Sequence, residues 1–138
     1  MKVRRATALL ILMALGIGPS EAANWEQFLI SNNGNKGFID YERKKRDSHG
    51  GNTYTAWWRT ELAKTATIYG RPYRAHLGFY RVDCDKSSIT SLAIHYYDGK
   101  GSVVFSDEVQ TGPSIAVPDT NGEIFVNTVC SAAKIRGI

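Results

Sequence analysis

The densest charge in the chain is a run of four basic residues in a polar connection between two predicted strands. These residues are Arg43, Lys44, Lys45 and Arg46. Because they share one short connection, their four charges are expected to project together and to suit heparin-like chains, lipopolysaccharide phosphates or an acidic partner segment. A solvated turn that keeps a sheet soluble would have the same composition, and Glu42 and Asp47 weaken the local field. Both interpretations stay open at this point.

Two adjacent tryptophans supply a second candidate contact. Successive strand residues point to opposite faces, so Trp58 is expected to face the core together with Tyr54 and Ala56. Trp57 then lies on the other face, where an indole can serve as a contact platform. Loops or a second subunit could instead cover it, and an aromatic sheet face also suits a homodimer. For the pair Tyr96–Tyr97, core packing is the favoured interpretation.

Catalytic chemistry has little support in the sequence. His76 and His95 fall within predicted strands and could approach each other across a sheet, which keeps a hydrolase as a remote alternative. The chain has no Gly-x-Ser-x-Gly elbow, no His-Glu-x-x-His motif and no glycine-rich phosphate loop. With His49, the three histidines show no metal-ligand spacing. We therefore predict a protein without enzymatic activity, metal or cofactor.

The N-terminal 22 residues have the pattern of a secretory signal peptide. A basic start is followed by a 13-residue apolar run and by small residues at Ser20 and Ala22. Since three basic residues and one acidic residue would leave with this segment, the formal net charge would fall from +4 to +2. That weak charge argues against bulk nucleic-acid binding. The prediction is a signal peptide over 1–22 and one exported domain over 23–138.

The localisation of the exported domain is predicted from the residues that follow the apolar run. No cysteine follows it that could carry a lipid, and no second long apolar run could span a membrane. The sequence therefore predicts a periplasmic or released protein without a lipid anchor. In an oxidising compartment the two cysteines, Cys84 and Cys130, are expected to form one disulfide.

The strands and the helix that carry these side chains are predicted from the alternation of apolar and polar residues and from turn residues. Six strands are predicted, at 25–31, 36–41, 53–62, 73–84, 88–97 and 102–106, with 63–72 irregular and 107–118 an extended linker. Thr120 to Glu123 has the capping-box pattern, and Phe125, Val129 and Ala132 form one stripe of a following helix. The predicted fold is α+β: a six-stranded antiparallel sheet with a C-terminal helix packed on it and joined to it by the disulfide.

The order of short motifs along these elements resembles the surface-adhesin protein E-like family. The motifs are Trp25, Phe38-Ile39-Asp40, Thr55–Trp58, Tyr80-Arg81-Val82-Asp83-Cys84, Tyr97-Asp98-Gly99, Pro118-Asp119-Thr120, Gly122-Glu123 and Val129-Cys130. The resemblance implies the same sheet, helix and disulfide, and export by a Gram-negative bacterium. It also implies binding of host extracellular proteins such as vitronectin, laminin and plasminogen. The founding member is a lipoprotein, whereas this chain has no lipobox cysteine.

The sequence supports two hypotheses for the function of the protein. The first is an exported, non-enzymatic binding or adhesion domain that contacts a macromolecular partner through Arg43 to Arg46 and Trp57. The alternative is a periplasmic structural or assembly factor that contacts an envelope component such as lipopolysaccharide. Fold resemblance does not by itself transfer a binding partner, so both hypotheses need the structure.

Overall fold

The described part of the chain, residues 23–41 and 43–136 of a computed structural model, contains eight strands and one helix. The elements are β1 (Trp25–Ile30), β2 (Lys36–Asp40), β3 (Lys45–Arg46), β4 (Thr53–Ile68), β5 (Arg71–Asp83), β6 (Ser88–Tyr97), β7 (Val103–Asp107), β8 (Thr111–Ile115) and α1 (Asn121–Arg136). The predicted signal peptide lies outside the described residues.

All strands belong to one antiparallel sheet. Its main path runs β1-β2-β4-β5-β6-β7, while β3 pairs with β4 and β8 pairs with β6. The predicted α+β class and the six-stranded path with a C-terminal helix are thus confirmed. The first hairpin turns at Gly34, whose φ of +82° places it in the left-handed region that glycine adopts without steric cost.

The segment predicted as irregular, 63–72, is instead the tip of a long hairpin. β4 and β5 continue into it beyond a bulge between Glu61 and Ala66 and turn at Tyr69-Gly70. Pro72 was expected to break a strand. It is tolerated because the pairing of β5 with β6 begins only at Ala75, so no β6 partner requires the missing N–H.

Two short strands were missed within predicted connections. β3 arises inside the polar segment that carries the basic run and pairs Lys45 with Thr55. β8 lies in the predicted linker and pairs Ile115 with Ser88. Neither strand has buried side chains, so no alternation of apolar and polar residues could reveal them.

The core lies between α1 and one face of the sheet. Phe125, Val126 and Val129 of the helix are almost fully buried and pack on Ile39, Tyr54, Ala56 and Val82. The capping box forms with a small variation: Thr120 Oγ1 accepts the Glu123 N–H at 3.4 Å, and Glu123 Oε2 accepts the Asp119 N–H at 2.9 Å. These contacts fix where the helix begins.

The disulfide joins the two layers. Cys84, directly after β5, is bonded to Cys130 on α1, as predicted. The bond spans 46 residues of sequence and so constrains the unfolded chain as well as the helix position.

Candidate functional site

The sheet presents two chemically different faces. The helix face packs on α1, and there Trp58 stacks on Phe125 with ring centroids 4.9 Å apart. The opposite face, here called the open face, carries Trp57 stacked on Phe79 at 4.6 Å with an interplanar angle of 26°. Both rings of this pair are half-buried, and neither belongs to the described core beneath α1. The predicted division between Trp57 and Trp58 is confirmed.

A cation held between two further rings lies on the open face, toward the β1 edge of the sheet. The Arg59 guanidinium carbon is 5.0 Å from the Trp25 ring centroid and 4.7 Å from that of Phe38. Its Nη2 atom also lies 2.8 Å from Glu61 Oε1. Such a sandwich combines cation–π attraction with burial of the arginine stem. Strand alternation with Trp57 is sufficient to place Arg59 on this face, whereas the two rings come from other strands and could not be assigned from the sequence.

The basic run does not act as one unit. Lys45 pairs with Thr55 in the ladder, and therefore lies on the open face, two strand positions from Trp57. Arg46 is exposed and directs its guanidinium to the Gly51 carbonyl, with Nη2–O and Nε–O distances of 3.0 and 3.3 Å.

The other two members of the run differ in exposure: Arg43 is exposed while it contacts Asp40, and only Lys44 is buried against the body of the protein. Arg43 Nε lies 3.3 Å from Asp40 Oδ2. Lys44 is only 4% exposed, donates from Nζ to the Val129 carbonyl at 3.4 Å and lies 5.4 Å from the centroid of the Tyr54 ring. The expectation that four charges project together is therefore wrong for Lys44, because the connection passes beside α1. The involvement of the run in binding stays a prediction.

The loop after β3 is held by one carboxylate. Asp47 accepts hydrogen bonds from Arg81 Nε at 2.9 Å and from the His49 N–H at 2.8 Å, and its Oδ1 lies 2.5 Å from His49 Nδ1. Burial alone would raise the pKa of Asp47, but these bonds and the charge of Arg81 outweigh it and lower the pKa to about 2. The network fixes the chain between the basic run and β4.

The two strand histidines do not form a site together. His76 pairs with Tyr96 and His95 pairs with Leu77, so the two histidines are directed to opposite faces of the sheet. His95 Nδ1 is 2.9 Å from Ser106 Oγ. The expected approach of the two side chains is wrong, which removes the geometry of the hydrolase alternative.

Other carboxylates accept backbone N–H groups in turns. Asp83 accepts the N–H groups of Asp85 and Lys86, and Asp98 accepts those of Lys100 and Ser102. The bonds at Asp98, first that of Ser102 and then that of Lys100, lower its pKa.

Within residues 23–41 and 43–136, no cluster of three His, Cys, Asp or Glu residues suits a metal ion. In the same part of the chain, no helix has the length and apolar character needed to cross a membrane.

The comparisons with known proteins agree on one family. The fold is similar to crystal form II of Haemophilus influenzae protein E, with a TM-score of 0.61 and 18% identity over 78% of this chain and 87% of that one. It is also similar to protein E from non-typeable Haemophilus influenzae, with a TM-score of 0.59 and 18% identity over 86% and 84%. No match was found among curated protein sequences. Because the model of the surface-adhesin protein E family matches residues 25–131, most of the sequence, the chain belongs to that family.

Proposed function

We propose that this protein is a non-enzymatic adhesion domain that binds a host extracellular macromolecule through its open face. The observation that carries the proposal is that Lys45 and the Trp57–Phe79 pair lie together on the sheet face opposite α1. Tryptophan, tyrosine and arginine dominate the energetics of protein contacts because they combine large apolar area with a polar group.

Each residue of the predicted set has a different part in this proposal. Trp57 is the apolar anchor, while Lys45 supplies exposed positive charge on the same face. Arg46 pairs with Tyr54 and so points to the other side of the sheet, where its exposed charge can contribute only at the rim of the contact. Arg43 flanks them, and Lys44 positions the connection through its contact with α1 rather than touching the partner. The partner is expected to present carboxylates around an apolar or aromatic centre, because charge complementarity governs orientation and association rate.

Membership of a surface-adhesin family indicates an exported protein. We propose that the mature domain is periplasmic or released and carries no lipid anchor. Vitronectin and laminin are the partners to test first, since the family resemblance points to them.

The test is binding of the purified protein to immobilised vitronectin, laminin, heparin and lipopolysaccharide at low and physiological salt. Trp57→Ala and Lys45→Glu are the site variants, and Lys100→Glu, an exposed lysine in the β6–β7 turn, is the matched control. Lys44 is left unchanged because its replacement would disturb the packing of α1. Circular dichroism checks that every variant is folded.

The proposal expects saturable binding to a host protein, reduced at least about tenfold by Trp57→Ala and unchanged by Lys100→Glu, as is typical of a central anchor. Binding only to the two polyanions, abolished at physiological salt, would reduce the site to a nonspecific charge patch. Binding to lipopolysaccharide alone at physiological salt would support the envelope-factor alternative instead. Absence of binding to all four would refute the adhesion function.

A further inference from the structure

A second group of aromatic rings lies outside both the core and the open face. It comprises Tyr69, Tyr73, His76, Tyr96 and Phe105 and is called the tip cluster below, because it surrounds the tip of the β4–β5 hairpin. The successive ring centroids are 4.9 Å apart from Tyr69 to Phe105, 6.0 Å from Phe105 to Tyr96 and 5.0 Å from Tyr96 to Tyr73. None of the five belongs to the described core beneath α1.

The outermost ring is held in place although most of it faces solvent. Tyr69 is 81% exposed and has a φ of +47°, next to Gly70 at +74°. This pair of left-handed residues is typical of a hairpin turn in which asparagine and glycine are favoured, and a tyrosine at the first position carries a steric cost. The contact with Phe105 and the bond from Arg71 Nη1 to the Val104 carbonyl, at 3.0 Å, tie the tip to β7.

A groove with both polar and apolar lining continues from the other end of the cluster. Its volume is about 440 Å³, and Tyr73 forms part of its wall together with Asn33, Asn35 and Lys64. The groove exists because β4 bulges between Glu61 and Ala66.

Hydrogen bonding within the groove leaves donors available. Asn35 Oδ1 accepts the Ala63 N–H at 3.0 Å, and Asn33 Oδ1 accepts the Asn35 N–H at 3.4 Å. Since these bonds engage the amide oxygens at least in part, the amide N–H groups and the Lys64 ammonium are the main donors that the groove offers to a ligand. The groove therefore favours a ligand that carries acceptors, and above all one that carries an anion.

We propose that the tip cluster and this groove bind an acidic oligosaccharide. A sugar ring has an apolar C–H face that can stack on an aromatic ring and an edge of hydroxyl groups that phenols and amides can bind. Tyr69 lies at one end of the cluster and Tyr73 at the other, with Phe105 and Tyr96 between them, so ring surfaces and phenol groups extend along it. Lys64 and the asparagines would meet a carboxylate at the Tyr73 end. The proposal is independent of the open face, which lies on the other side of the sheet.

Two rings of the cluster, those of His76 and Tyr96, have pKa values shifted in the direction that favours the uncharged form. Burial lowers the pKa of His76, so its imidazole is neutral. Burial, followed by the nearby Tyr73, Asp107 and Tyr69, raises the pKa of Tyr96, which keeps its phenol protonated. Proline-rich peptides also dock on aromatic grooves, but they bring no anion to the donors around Lys64.

The test is isothermal titration calorimetry of the disulfide-bonded protein with trigalacturonate and 3′-sialyllactose as acidic probes, and with lactose and decaproline for comparison. Tyr69→Asn and Lys64→Ala are the site variants. Asparagine is favoured at the left-handed position of Tyr69, so this variant is expected to fold at least as well as the parent, which thermal unfolding checks. Trp57→Ala on the open face is the matched control.

We expect binding of at least one acidic probe, weakened about tenfold by Tyr69→Asn through loss of one stacked ring. Lys64→Ala should weaken the same binding and reduce its salt dependence, and Trp57→Ala should leave it unchanged. Equal affinity for lactose would overturn the acidic class. Binding of decaproline alone, absence of binding to both acidic probes, or unchanged affinity in Tyr69→Asn would overturn the site. Since Trp57→Ala affects only the open face, failure here is distinguishable from failure of the adhesion proposal.

Discussion

Replacing Asp47 by asparagine should remove a specific part of the pH dependence of stability. Its carboxylate bonds Arg81 and His49 in the folded protein, and its pKa falls from the ordinary 3.8 to about 2. A shift of that size corresponds to about 2 kcal/mol of folding free energy. The lowered pKa means that the ionised form is favoured by folding. The stabilisation is therefore complete above about pH 5 and is lost as pH falls from about 4 to about 2.

The assay is urea unfolding of the parent and of Asp47→Asn at intervals between pH 7 and pH 2. The control is Asp85→Asn, which changes an exposed carboxylate in the β5–β6 turn. We expect the difference between parent and Asp47→Asn to be about 2 kcal/mol at pH 7 and to shrink toward zero near pH 2. Asp85→Asn should show no comparable trend. A difference for Asp47→Asn that stays constant over this range would refute the assignment of the stability to an ionised Asp47.

Three further predictions concern the core and the disulfide. Replacing Cys84 and Cys130 together by serine should destabilise the protein by about 4 kcal/mol, since the bond closes a 46-residue loop; an unchanged midpoint in chemical unfolding would show that the bond contributes nothing. Phe125→Ala should cost about 3–5 kcal/mol in the same assay, because this fully buried ring contacts three core aromatic rings; a loss below about 1 kcal/mol would contradict the packing described. Gly78→Ala should cost about 1–3 kcal/mol, because a Cβ there would overlap the Tyr80 ring; thermal unfolding with an unchanged midpoint would show that the ring moves aside freely.

The structure confirms the predictions that were based on strong local patterns in the sequence. The alternation of Tyr54, Ala56 and Trp58 against Trp57 located both faces of β4, because a period of two leaves only one arrangement with a buried side. The helix start was predicted from Thr120 because capping is a contact between residues three positions apart.

The disagreements lie where contacts distant in sequence override a local signal. Lys44 was expected in solvent, since lysine is rarely buried, but a bond to the Val129 carbonyl 85 positions away holds it beside α1. Pro72 indicated a break, yet it stands in β5 beyond the end of β6, where no ladder bond is lost.

In the candidate sites too, some features could be predicted from the sequence and others depend on contacts between distant residues. From the sequence, Trp57 and the basic run are candidate contact residues, because aromatic and charged side chains can be recognised individually; their role in binding stays a prediction. It could not show that Arg59 lies between the rings of Trp25 and Phe38, which belong to different strands. The tip cluster could not be predicted from the sequence, because Tyr69 and Phe105 meet only when the hairpin tip lies over β7.

The sequence alone was sufficient for the fold class, the disulfide and the alternation of β4, because composition, cysteine number and local periodicity can be recognised without knowing the fold. The signal peptide over 1–22 stays a prediction. Only the tertiary structure decided the strand register and the bulge in β4, and hence which cations stand beside which rings. Register depends on pairing between residues tens of positions apart, where a shift of one residue would exchange the two faces of a strand.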